Sequence, residues 1–129
     1  MQSISVLITS SPESPSRCLN ALDFCHKILE QGAAINQIFF YQDGVYHANG
    51  LIDAGSDDLH FGARWSELSN RYAVPLLVCV GAATKRGIID ADQASQSGKA
   101  NHSVFAPFKQ VGLGEFFTRL HDAEKLVQF

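Results

Sequence analysis

Positive charge, paired cysteines and long apolar runs are all scarce in this chain, and each scarcity removes a class of function. Ten Lys and Arg stand against thirteen Asp and Glu, for a net charge of -3. A protein that binds by neutralising phosphates has the opposite balance, so no direct nucleic-acid contact is expected. The three cysteines, Cys18, Cys25 and Cys79, are an odd number without disulfide or zinc spacing, as in a reducing compartment. His26, His47, His60, His102 and His121 make no metal-ligand pair with Cys or with one another, so no metal site is expected. No apolar stretch is long enough to cross a bilayer. The opening residues, Met1 to Ile8, lack the positive flank of a signal peptide, and the expected location is the cytoplasm, away from membranes.

Repeats, low-complexity tracts and linkers are also missing. The 129 residues are 46% hydrophobic and 18% charged, which suits one domain over residues 1–129 with a single good core. Along it, strand-like and helix-like segments alternate. Residues 3–9 read as a strand. Ser14 is a candidate cap for a helix with Pro15 at its first position, running to about Gln31 before Gly32. Cys18, Ala21, Leu22, Cys25, Ile28 and Leu29 recur there at helical spacing. Residues 35–41 read as a second strand, and Asp43-Gly44 as a turn. Ser56 is a candidate cap for a second helix, with Asp57 and Asp58 in its first turn and Phe61, Trp65, Leu68 and Tyr72 on one face.

Residues 76–80 are apolar at consecutive positions, the pattern of a parallel strand covered on both faces. A short helix capped by Asp90 is expected within 88–98, a short strand at Val104-Phe105, a helix from Gly112-Leu113-Gly114 to about Asp122, and a last strand over 126–129. Gly112-Leu113-Gly114 lacks the third glycine of a nucleotide loop and reads as a turn into a helix. The alternation predicts an α/β class fold, a three-layer α/β/α sandwich with a mainly parallel sheet, in which function gathers at the carboxyl ends of strands.

One sulfur falls at such an end. In Pro75-Leu76-Leu77-Val78-Cys79-Val80-Gly81-Ala82-Ala83-Thr84-Lys85-Arg86-Gly87, an apolar run delivers Cys79 to small residues followed by two cations. The thiolate is the reactive form of cysteine. A helix starting after Gly81 would aim N–H groups at it, Gly81 and Ala82 would allow close approach, and Lys85 and Arg86 would add positive potential. The competing reading is that Cys79 is a small buried hydrophobe, as free cysteines often are. Cys18 and Cys25 fall on one apolar helix face about 10 Å apart, too far for a disulfide, and read as core. His47 and His102 lie in polar segments that could reach a site, and Phe116-Phe117 suits either core or interface.

These residues resemble the DsrE family of sulfur-relay proteins, through Phe39-Phe40-Tyr41-Gln42-Asp43-Gly44-Val45-Tyr46-His47-Ala48-Asn49, then residues 77–87, Gly112-Leu113-Gly114 and the ending Val127-Gln128-Phe129. The resemblance covers nearly the whole chain and is closest to the branch that works in tRNA thiolation. It implies a DsrEFH-like fold and a sulfurtransferase that carries a persulfide on Cys79 and needs no metal or organic cofactor. It also implies a heterohexamer with TusB- and TusC-like paralogous subunits, a TusA-like sulfur donor and a TusE-like acceptor, with the sulfur ending in 2-thiouridine. Two alternatives stay open: a DsrE-type carrier in dissimilatory sulfur oxidation, and a non-catalytic assembly subunit with Cys79 merely packed. A flavodoxin-like small-molecule module is a more distant one.

Overall fold

A computed structural model describes residues 2–53, 55 and 59–129. The strands are β1 (Ser3–Ile8), β2 (Ala34–Phe40), β3 (Leu76–Cys79), β4 (Phe108–Val111) and β5 (Lys125–Gln128). The helices are α1 (Pro15–Glu30), α2 (Phe61–Tyr72), α3 (Val80–Thr84), α4 (Ala91–Gln96) and α5 (Leu113–His121), with a 3-10 segment over Gln42–Ala48. The strands form one sheet in the order β4-β3-β2-β1-β5, and every pairing is parallel.

That order decides the layers. From β1 to β4 the chain steps in one direction, so crossovers of one hand put their helices on one face. The return from β4 to β5 reverses direction and puts α5 on the other. Successive strand residues point to opposite faces, and the core divides accordingly. Ile4, Val6, Ile8, Ile38, Phe40, Leu76 and Val78 pack in a large cluster with Cys18, Ala21, Leu22 and Cys25 of α1 and Trp65 and Leu68 of α2. Phe39, Leu77 and Cys79 pack in a smaller one with Phe116 of α5. The expected three-layer sandwich is therefore present, its sheet wholly parallel.

Several local expectations change. Ser14 holds the cap position of α1, but its hydroxyl caps nothing; its carbonyl accepts from Cys18 N–H. The expected cap at Ser56, with Asp57 and Asp58, lies outside the described residues. α2 begins at Phe61, and the His60 ring accepts from Ala63 N–H at 3.2 Å. The expected strand at Val104-Phe105 reduces to one antiparallel bridge between Val104 and Asn49. The true edge strand follows Pro107, which has no N–H to give a ladder, and its Phe-Lys-Gln-Val sequence is too polar to stand out. β3 ends at Cys79, and α3 starts at once with Val80, ahead of Gly81. Asp90 does cap α4, accepting from Gln93 N–H at 2.8 Å.

Asp43-Gly44 belongs to the 3-10 segment instead of a simple turn. Gln42, separated from the end of β2 by Tyr41, takes a left-handed φ of 51°, and the segment folds back so that Gly44 N–H donates to Tyr41 O. Gly44 lies against the carbonyl of Ile8, where a Cβ would collide with backbone. Gly44→Ala is expected to cost at least about 2 kcal/mol, read as a lower denaturant midpoint. An unchanged midpoint would show that the end of β1 can yield.

Candidate functional site

Cys79 occupies the last position of β3, an interior strand between β2 and β4. The sequence places it there correctly, at a carboxyl end of the sheet. Its surroundings differ from an open mouth. The residue is 4% exposed, and its side chain belongs to the smaller cluster with Phe39, Leu77 and Phe116, flanked by half-buried Ala82 and Val111. Its sulfur takes no capping bond from α3, which is only five residues long. The expected cradle of helix N–H groups is therefore not formed around the sulfur.

The other predicted residues separate. Gly81 is exposed, and a Cβ there would meet nothing within 4 Å, so the surface at Gly81 itself is uncrowded. Ala82 is half-buried and touches both core clusters. Lys85 is exposed. Arg86 turns towards the 3-10 segment: Nη1 donates to Ala82 O at 2.9 Å and Nη2 to Asp43 Oδ1 at 3.1 Å. Asp43 is mostly exposed, so this ion pair contributes no more than about 1 kcal/mol. Its effect is geometric, since it fastens the end of α3 to the segment that follows β2. The structure thus packs Ala82 against the Cys79 cluster, leaves Gly81 and Lys85 at the surface and commits Arg86 to Asp43.

A groove of about 1070 Å³ opens beyond the carboxyl ends of β1 and β2, lined in part by Glu13, Asp43, Tyr46, Asn49 and Phe61. Among the described residues, no three His, Cys, Asp or Glu side chains cluster as metal ligands. No described helix is long and apolar enough to cross a membrane.

Sequence reasoning passed over Gln37. It is wholly buried on β2, and its Nε2 donates to Ser5 Oγ and to Phe116 O, both at 3.1 Å. Its Oε1 has no partner. The signal was an amide inside the apolar run of residues 35–41. Buried amides with an unmet acceptor are uncommon enough to call for a reason.

Cys18 and Cys25 are core, as expected. Burial pushes the Cys18 thiol up to about 11 and the Cys25 thiol up to about 12, so both stay protonated at neutral pH. His47, expected in a polar loop, is instead buried among Phe40, Phe61 and Trp65, with ring centroids 5.5, 6.0 and 6.2 Å away. Its Nε2–H donates to Ser10 O at 3.0 Å, and the Cys18 thiol donates to Ser11 O at 3.2 Å. Together these two bonds pin the loop after β1. His102 is half-buried, with its ring stacked 4.8 Å from Phe105, and reaches no site.

Burial lowers the His47 pKa to about 4, with the Ser10 bond opposing the shift. The unfolded chain takes up this proton near the usual imidazole value, whereas the folded protein resists until about 4. The stability is therefore complete above roughly pH 6.5 and drains as pH falls towards about 4. The melting temperature is expected to fall between about pH 7 and about pH 5. In His47→Gln it should start lower and vary less over that range. Parallel losses in both proteins would clear His47 of the effect.

Comparison with known proteins agrees with this architecture. The DsrE/DsrF-like family model matches residues 2–129. A protein of Proteus mirabilis named "Sulfurtransferase TusD" is 35% identical over 124 residues, covering 96% of this chain and 95% of the relative. A "Putative sulfurtransferase DsrE" of Allochromatium vinosum is 36% identical over 122 residues, covering 95% and 94%. The crystal structure of the ychN protein from E. coli superposes with a TM-score of 0.77 at 18% identity, covering 100% of both chains, and shares the fold. With a parallel five-stranded sheet of this order, and relatives matched along nearly its whole length, the chain belongs to the DsrE/DsrF-like family.

Proposed function

We propose that this chain is a sulfurtransferase, a single DsrE-like domain over residues 1–129 that accepts persulfide sulfur on Cys79 and passes it on. The observation that carries the reading is the sorting of the three cysteines. Cys18 and Cys25 are locked into the α1 core with raised thiol pKa values, while Cys79 ends an interior strand at the carboxyl edge of the sheet, two residues ahead of exposed Gly81. The relatives' names supply the class of reaction.

The chemistry needs one side chain. The Cys79 thiolate attacks the outer sulfur of a donor persulfide, the S–S bond of the donor breaks, and the donor leaves as its thiolate. Cys79 then holds the persulfide, until an acceptor thiolate attacks the same outer sulfur and releases Cys79. No net oxidation occurs, and each step resembles thiol–disulfide exchange, so access and leaving-group acidity set the rate. Gly81 and Ala82 leave room for the incoming segment. Of the two cations that follow, Arg86 is paired with Asp43 and Lys85 is exposed, where it can meet an incoming partner.

In this reading the sulfur serves tRNA 2-thiouridine synthesis, in the cytoplasm, with a TusA-like donor, a TusE-like acceptor and TusB- and TusC-like subunits in a heterohexamer. The apolar surface supports association: Phe117 is 60% exposed, and Leu113 and Leu126 are exposed with it on α5 and β5. A second reading, sulfur oxidation, is favoured by the DsrE relative, which is as similar as the TusD relatives.

The test is intact-mass spectrometry after incubation with a persulfide-loaded carrier protein and the paralogous subunits. An adduct of about 32 Da, one sulfur atom, is expected on the wild type and not on Cys79→Ser. A wild-type chain that stays unmodified under those conditions would reduce it to an assembly subunit.

A further inference from the structure

The proposed function leaves a contradiction in the geometry. Cys79 must meet the sulfur of a carrier, yet it is 4% exposed. Some covering group has to move. The four fully buried members of its cluster are Phe39, Leu77, Cys79 itself and Phe116. Phe39 and Leu77 sit on β2 and β3, each paired on both sides within the sheet. Displacing either breaks the ladder. Phe116 alone belongs to an element outside it, α5, where it is the one fully buried side chain.

The attachments of α5 are uneven. Its last turn is gripped twice by Asn36: Nδ2 donates to Arg119 O at 2.7 Å, and Arg119 Nη1 donates to Asn36 O at 3.1 Å. Its middle is held by Gln37 Nε2 donating to Phe116 O at 3.1 Å. The bonds of its first turn stay within the helix and its cap: Glu115 N–H donates to Gly112 O at 3.1 Å, Thr118 Oγ1 to Gly114 O at 2.9 Å and Arg119 Nε to Glu115 Oε2 at 3.3 Å. Gly112 and Gly114 are exposed and have open space where a Cβ would stand, so neither glycine is needed for packing. Two packing-free glycines around Leu113 leave this end of the helix easy to bend.

The middle attachment is also incomplete. Gln37 places a buried amide on the sheet face under α5, with both donor directions used and Oε1 unmet. An apolar side chain would hold the helix without that deficit. A half-satisfied polar contact makes a closed state that opens more readily, because water reaching the amide on opening meets the missing bond.

Resting on the proposed sulfur-carrying role of Cys79, we propose that α5 is a lid over this thiol. Phe116 is the covering side chain, Gln37 the latch and Asn36–Arg119 the hinge. A carrier segment reaches the sulfur when the first turn of α5 lifts. Phe116 and Gln37 are positioning residues that control access and take no part in the bond exchange.

The test is N-ethylmaleimide labelling of the native full-length chain, followed site by site by peptide mass spectrometry. Cys25 is 0% exposed on the opposite face and reports global unfolding, so it serves as the internal control. In the wild type, Cys79 should label faster than Cys25 and slower than in the denatured chain. Phe116→Ala should raise the Cys79 rate by roughly tenfold or more, with Cys25 remaining the slower of the two. Gln37→Met, which leaves no unmet acceptor in the closed state, should instead lower the Cys79 rate. Gly114→Ala, which stiffens the first turn, should slow Cys79 by roughly two- to fivefold. This last variant keeps the test valid if Phe116→Ala fails to fold. Labelling of wild-type Cys79 in step with Cys25, or at the denatured rate, would overturn the lid, as would unchanged Cys79 rates in the variants. Labelling reads access alone. A chain gated as described that takes no sulfur would sink the proposed function and leave the lid, whereas sulfur transfer without gating would do the reverse.

Discussion

Burial of β2 and β3 on both faces is the constraint from which the rest of the structure follows. Phe39 and Phe40 are neighbours in the chain and fully buried in different clusters, and the same is true of Leu77 and Val78. A slip of one residue in either strand would exchange the two faces. The register Phe40–Val78 therefore settles where the next side chain in β3 goes. Cys79 falls on the α5 side because Leu77 does, and it ends the strand because Val80 already begins α3. The position of the sulfur is a by-product of strand register.

The two faces are unequal, and the inequality shapes the chemistry. The first is covered by α1, α2 and the 3-10 segment and contains Trp65, the largest fully buried side chain. The second has one nine-residue helix with one fully buried residue, Phe116. Burying a phenylalanine contributes about 1.5–3 kcal/mol, and each neutral hydrogen bond to α5 about 1 kcal/mol. A layer held by sums of this size can move without unfolding the domain. A thiol on the first face would be sealed, as Cys18 and Cys25 are. The same thinness leaves Phe117, Leu113 and Leu126 facing outward, where subunit contacts would cover them.

The ends of β1, β2 and β3 are tied into one unit by contacts that are individually weak. His47 and Cys18 hold the loop after β1, Gly44 packs on Ile8, and Asp43 receives Arg86 from just beyond α3. His47 and Cys18, 3.5 Å apart, form a histidine–cysteine pair that serves here as a structural fastener. Both are held neutral at physiological pH by burial, which removes them from nucleophilic or acid–base work.

The sequence alone was enough for strands over 3–9, 35–41 and 76–80, each within a residue of β1, β2 and β3, for α1, α2 and α5 apart from their exact ends, for the parallel α/β class, and for Cys79 at a strand end, because each of these is written in local periodicity. β4 escaped because a short polar edge strand has no periodic signature beside a proline. The 3-10 segment escaped because its shape depends on the distant carbonyl of Ile8. Tertiary structure alone decided that Cys79 is covered, that Arg86 pairs with Asp43 forty-three residues away, that His47 is core, and that Gln37 grips α5. Those facts join residues far apart in the chain, and local pattern records which face a side chain takes, never which element arrives to meet it.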